Sequence, residues 1–303
     1  MKINTHLSID LDAVASVWAA REFIPGAREA EVEFRPAGWD GSGMEEGDLA
    51  LDIQAGGRGL KGEKGEGGIV YSCFAGIVSE YASPADQAAL ANLVAFVDAQ
   101  DAHGSAAKHL LRPRSPESGL WPDQVEVYEL GRAGLNEARM VLEATGLNAV
   151  LRALQAVHPR NDALVLERMS EIFSGMLQAG RARQRAKVEA DKAEILAGGK
   201  VAIVSDSREF GTNAVLFEER GVRVVVYIDG NNLGLNREGS ETLRMDHPEI
   251  RAIVEAAGEA DEWFAHSAGF LYCRGSRKSP AENPSTVNPY HLAEVASRLL
   301  AAE

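Results

Sequence analysis

The stretch Thr5-His6-Leu7-Ser8-Ile9-Asp10-Leu11-Asp12-Ala13-Val14-Ala15-Ser16 constrains this chain more than any other. It reads as a short strand, Lys2 to Thr5, that enters a polar loop and leaves it as a helix from Ala13 to Phe23. A strand followed directly by a helix is a unit of an α/β sheet, and its loop lies at the strand's carboxyl end, where ligand-binding groups converge. The loop carries a His-x3-Asp-x-Asp pattern. Neutral imidazole with carboxylate oxygens suits a divalent ion such as manganese, zinc or iron. Helix capping by Asp10 or Asp12 is the plainer alternative. It accounts for one aspartate and leaves the other, and the histidine, unexplained.

The next segments keep to the same grammar. Ala30 to Arg35 alternates, with Val32 and Phe34 on one face of a strand. Asp48 to Ile53 reads as another strand and puts Asp52 near its end. Gly57-x-Gly59-x-x-Gly62 then matches a dinucleotide fingerprint in letters only. The fingerprint needs a helix to start there, and Glu63-Lys64-Gly65-Glu66-Gly67-Gly68 is poor helix material. A surface loop is the better reading, and Lys61 within it is a fixed positive charge.

Tyr71 to Tyr81 predicts a helix striped by Phe74, Ile77 and Val78. A second helix begins at Pro84 and runs to about Gln100, burying Leu90, Leu93, Val94 and Val97. Asp98 and Asp101 fall at its end, where the helix dipole disfavours carboxylates. Two acids there call for a metal or a cation, or else for solvation at a cost of roughly a few tenths of a kcal/mol. Leu111 to Pro122 reads as a Pro/Ser loop, and Glu137 to Val157 as an apolar-striped helix.

Ala163 to Ala197 predicts a long helix that changes midway from apolar to charged, with Arg181, Arg183, Arg185 and Lys187 in its second half. Glu189, Asp191 and Glu194 interrupt the cations, which favours a solvated bridging helix over a nucleic-acid stripe. Gly198-Gly199 ends it. A second domain follows, with strong strands at Lys200 to Ser205 and Val222 to Ile228 around a helix from Thr212 to Glu219. Turn chemistry at Asp229 to Asn232 allows Leu233 to Arg237 to return as a hairpin strand. Arg274-Gly275-Ser276-Arg277-Lys278 is the second chemical signal. Its cations and glycine backbone suit a phosphate or carboxylate, and a solvated loop is the alternative. Arg237 and His266 are candidates to join it. An ordinary turn and a core histidine are their plainer readings.

Length enters here: 303 residues suggest about two domains. The reading is therefore α/β throughout, with an N-terminal parallel-sheet domain over 1–158, a bridging helix over 159–197 and a smaller C-terminal α/β domain over 198–303. A net charge of -14 disfavours duplex nucleic acid as a partner. The two cysteines, Cys73 and Cys273, form no zinc or redox motif and suit a reduced, cytoplasmic setting. The start Met-Lys-Ile-Asn-Thr-His has no signal-peptide pattern. No apolar run approaches the ~20 residues that span a bilayer, so no membrane partner is expected.

The order of these features resembles the DHH phosphoesterase superfamily. His6-x3-Asp10-x-Asp12 resembles its first motif and Asp52 its second. Ser72 to Tyr81 with Val97 to Asp101 is similar to the helix and fourth motif that follow, and looks closest to the melanocyte-proliferating-gene exonuclease branch. The resemblance implies a DHH-like first domain and a C-terminal substrate domain, with one or two divalent ions, manganese above all. It implies His6, Asp10 and Asp52 at one ion, and Asp12, Asp52 and Asp98 or Asp101 at a second. The namesake Asp-His-His does not follow Asp52, since no histidine lies between His6 and His103.

Three functions follow. The first is a metal-dependent hydrolase of a nucleotide or short oligonucleotide in an interdomain cleft. Asp12 or Asp101 would orient the water, and His266, Arg237 and Arg274 to Lys278 would bind the substrate. The second is a reduced descendant that senses or stores a phosphorylated ligand, or acts as a subunit in a complex, without turnover; each of the three allows a homo-oligomer. The third is a different metalloenzyme built on the same histidine and carboxylates.

Overall fold

The computed structural model describes residues 1–60, 72–107, 131–196, 198–207, 209 and 211–302, with only the backbone for 131–137. The glycine-rich segment from Lys61 to Gly68, with Gly62 of the fingerprint, lies outside these residues, as do Tyr71 and the Leu111 to Pro122 loop. The chain is mixed α/β and divides into two compact units, Met1–Gly180 and Arg181–Glu303.

In the first unit β1 (Lys2–His6) is the middle strand of a three-stranded parallel sheet, between β2 (Glu31–Arg35) and β3 (Leu49–Ala50). Helix α1 (Leu11–Phe23) crosses from β1 to β2, and every residue from Leu11 to Ala20 is buried. Trp18 explains why so small-residued a helix sits at the centre. Its ring packs 5.5 Å from Phe173 and 6.2 Å from Phe74, and its indole N–H donates to Ser174 Oγ at 3.1 Å. The strand read from Asp48 to Ile53 is shorter than expected, because only Leu49 and Ala50 pair with β1 and Leu51 bridges Leu60 instead.

Helices α2 (Cys73–Tyr81) and α3 (Pro84–His103) follow, capped by the hydroxyls of Ser72 and Ser83. Two helices, α4 (Gly131–Thr145) and α5 (Leu147–Val157), replace the single one read from Glu137 to Val157. The break falls at Gly146, which caps α5. Helix α6 (Asp162–Ala190) buries Val165, Met169, Phe173 and Leu177 in the same core. At Gly180 its backbone lies against α3, where a Cβ would stand 2.2 Å from the Ala89 carbonyl oxygen.

Helix α6 ends at Ala190 rather than Ala197, because Glu194 and Ile195 form β4 (Glu194–Ile195) on the edge of the second sheet. That sheet continues through β5 (Val201–Ser205), β6 (Val224–Asp229), β7 (Asn232–Arg237), β8 (Phe264–Ala265) and β9 (Leu271–Arg274), in the order β4-β5-β6-β7-β9-β8. Only β5 and β6 run parallel; the helix α7 (Thr212–Arg220) joins them. The expected hairpin is formed, with Asp229 opposite Asn232.

Alternation along the strands builds two cores. Val201, Ile203, Val224 and Val226 pack toward α8 (Pro248–Ala256) and α9 (Pro289–Ala302), while Ala202, Val204 and Val225 pack toward α7 and the end of α6. The second-half cations of α6 are tied down here. Arg183 bonds Glu218 and Glu219, Arg185 bonds Glu209, and Lys187 bonds Glu219. Among the described residues, no helix is long and apolar enough to cross a membrane.

Candidate functional site

Three elements of the first unit deliver the acidic cluster. His6 is the last residue of β1, Asp10 is the N-cap of α1, and Asp52 follows β3. Since β1 and β3 are parallel neighbours, their carboxyl ends lie side by side. One ligand atom from each of His6, Asp10 and Asp52 lies within 4.8 Å of the others, the set among the described residues able to hold a metal. Asp52 reaches the site from a left-handed backbone, φ 52°, a region aspartate enters at less cost than most side chains.

The histidine's orientation is set by its neighbour. Nδ1 lies 2.9 Å from the Leu7 carbonyl oxygen, which can only accept, so Nδ1 carries a proton. Nε2 therefore points at the carboxylates, 3.1 Å from Asp52 Oδ2 and 3.7 Å from Asp10 Oδ2. In a neutral ring that is a lone pair facing two anions, an arrangement that demands a proton or a cation between them. Asp10 and then Asp52 accordingly push the imidazole up to about 10. Burial would raise the Asp10 carboxyl, but His6 and the Ala13 amide outweigh it and hold it below its ordinary value. Asp10 divides its oxygens: Oδ1 accepts from Ala13 N at 3.0 Å as the helix cap, and Oδ2 faces His6.

Asp12 is buried and differently employed. Its carboxylate accepts from Cys73 N and Phe74 N, each at 2.9 Å, and from Ser16 Oγ at 3.2 Å. It thereby anchors the first turn of α2 onto α1. Burial, then the Asp52 charge, and more weakly Asp101, push it up to about 7 against those amide donors. Asp98 and Asp101, three apart near the end of α3, separate in role. Asp98 accepts from Ser72 N at 2.5 Å, while Asp101 is exposed and lines a cleft with Asp10 and Asp12.

That cleft has a volume of about 390 Å³ and further lining residues the sequence reading missed: Asn148, Arg152 and Gln155 of α5, together with Gln100 of α3. The spacing of four and three residues puts these polar groups on one helix face. That periodicity was available in the sequence, but it is equally the signature of a solvated face.

The predicted substrate residues lie in the second unit and fall into two groups. Pairing of Leu233 with Arg274 and of Asn236 with Leu271 puts Arg237 and Arg274 at opposite ends of the β7–β9 ladder. Arg237 bonds the carbonyls of Glu238, Gly239 and Glu241, stapling its own loop. His266 is at the same end; its Nδ1 accepts from Ala268 N, and its ring lies 4.2 Å from Phe270. At the other end Arg274 is buried and turned inward, bonded to Glu262 and the Asn283 carbonyl. Gly275 takes φ 76° where a Cβ would stand 2.2 Å from Asn232 Oδ1. Ser276 and Ser279 exchange backbone hydrogen bonds. Arg277 reaches Ser207 O at 2.7 Å and Asp229, and both it and Lys278 are exposed.

No protein-family model and no curated protein matches the chain. Among the solved structures that overlap it weakly are two from bacteria. An uncharacterized protein from Helicobacter pylori is 10% identical with a TM-score of 0.23, covering 100% of both chains. RecJ from Thermus thermophilus, a DHH superfamily member solved with Mg2+, is 12% identical with a TM-score of 0.23. The overlap covers 99% of this chain and 49% of that one, so the chain spans about half the length of RecJ. Overlap at this level decides neither fold nor function.

Proposed function

We propose that the first unit is a divalent-metal-dependent phosphoesterase acting on a small phosphorylated molecule or a short oligonucleotide. The observation that carries this reading is His6. With Nδ1 committed to the Leu7 carbonyl, its Nε2 joins the Asp10 and Asp52 carboxylates around one point. This donor set fits a borderline ion such as manganese, and the carbonyl bond to the other ring nitrogen is the kind of support that orients metal-binding histidines. A bound ion would supply Lewis-acid charge for hydrolysis at phosphorus. Asp101, exposed on the same cleft, would orient a water. The chain's net charge of -14 favours a short substrate over a long polyanion.

A second reading keeps the ion and the ligand but not turnover. It is favoured by Asp12, whose carboxylate already serves three donors, and by the absence of any histidine between His6 and His103 to complete a second metal position.

The two separate in one experiment. Elemental analysis after manganese loading should find one ion per chain in the wild type and essentially none in Asp52→Asn. Manganese-dependent hydrolysis of p-nitrophenyl phosphate and of a series of short oligonucleotides should fall at least about 100-fold in Asp10→Asn. Metal binding without hydrolysis in the wild type would support the binder. Hydrolysis that survives Asp10→Asn would overturn the enzyme reading.

A further inference from the structure

Arg152 is a cation on a cleft that also carries three carboxylates. It stands exposed on α5, and among the described residues it has no hydrogen-bonding or ion-pair partner. Asn148 lies one turn before it on the same face, and Gln100 of α3 lines the cleft with both. Asp10, Asp12 and Asp101 line the same cleft. A metal held at Asp10 would carry the same sign of charge as the guanidinium. The cleft of about 390 Å³ thus offers carboxylates to a cation and a guanidinium to an anion, and an anion that reaches both the ion and Arg152 would meet opposite charge on two sides.

The same three residues, Gln100, Asn148 and Arg152, also line a second hollow of about 240 Å³, together with Phe96, Leu142 and Glu143. They are therefore shared by the acidic cleft and a partly apolar hollow. Helix α5 begins here, at its N-cap Gly146.

We infer that Arg152, with Asn148 and Gln100, is the subsite for the phosphoryl group of the substrate, a phosphomonoester or terminal phosphate whose organic part occupies the Phe96 hollow. The inference rests on the metal reading above and deepens it. The planar guanidinium takes two phosphate oxygens side by side, the Asn148 amide and the second N–H of Gln100, whose first bonds the Gly104 carbonyl, donate to others, and a further oxygen is left for the ion.

Isothermal titration of the full chain, first with manganese and then with inorganic phosphate, tests this. Arg152→Gln should bind manganese as the wild type does but bind phosphate roughly tenfold or more weakly, the loss expected for one charge-assisted pair. Arg152→Lys should fall between, since it keeps the charge and loses the fork. Asn148→Ala should weaken phosphate by a smaller factor. Because these positions are on a helix surface, equal melting temperatures will show that the variants fold. Arg152→Gln with wild-type phosphate affinity and intact manganese binding would overturn the phosphoryl subsite alone. Failure of the wild type to take up manganese would overturn the metal reading and the inference with it.

Discussion

Cys73 opens α2 at 2% exposure, on the two amide hydrogen bonds that its own N–H and that of Phe74 make to Asp12. Burial pushes its thiol up to about 12, with the Asp12 charge adding to the effect. Cys273 is also buried and also raised by burial. Neither thiolate is populated near neutrality, and neither sulfur is accessible. A disulfide reagent at pH 8 should therefore react negligibly with the folded chain and with both cysteines after denaturation; prompt reaction of the native protein would contradict this burial. The same scale shows what a motif hides. His-x3-Asp-x-Asp places three polar groups at one strand end, but only the Leu7 carbonyl decides which ring nitrogen faces the carboxylates. Only the neighbouring amides make Asp12 an anchor for α2 rather than an equal member of the cluster.

Two helices of the first unit meet at Gly180 and Ala89, close enough that an added Cβ would lie 2.2 Å from a backbone oxygen. Since the obstacle is backbone and not a flexible side chain, α3 and α6 must move apart to admit it. Gly180→Ala should therefore destabilise the chain by about 1–3 kcal/mol despite the better helix propensity of alanine, read as a lowered melting temperature. The shift should exceed that of Gly175→Ala on the same helix, where a Cβ meets nothing within 4 Å. Helix existence was legible from periodicity, as in the Phe74, Ile77 and Val78 stripe, whereas the Ser72 and Ser83 caps came from the structure. Helix ends were less so. Residues 191–195 continue a charged helical pattern, yet the chain turns because β5 offers Glu194 and Ile195 an edge to pair with.

Over the whole molecule the charge balance is acidic, and most carboxylates are at the surface; Glu259 is an exception with consequences for pH. It is 6% exposed, and its oxygens accept from Ser285 Oγ, Thr286 N and Oγ1, and Trp263 Nε1, with Arg274 3.6 Å away. Burial would raise its pKa, but these donors outweigh burial and hold it at about 2, below the ordinary 4.5. Because the folded value is the depressed one, the stabilisation is complete above pH 4.5 and is lost as pH falls toward 2. Denaturant midpoints should drop across that window in the wild type and drop less in Glu259→Gln. That variant should also be less stable near neutrality by about 1–3 kcal/mol, because donors built for a carboxylate meet a neutral amide. A wild-type slope preserved in Glu259→Gln would place the acid sensitivity elsewhere.

Alternating and helical periodicities by themselves determined the α/β class, the succession of strands and helices, and the candidacy of His6, Asp10 and Asp52, because a strand followed by a helix leaves its polar loop at one sheet edge. What the tertiary structure alone decided was partnership. Arg274 and Arg237, basic letters in sequence, became internal ties at opposite ends of one ladder, while Arg152, unremarkable in sequence, came to line one cleft with Asp10, Asp12 and Asp101. The physical reason is that a charge declares its chemistry only through what stands opposite it, and across a fold that is set by packing of segments far apart in the chain.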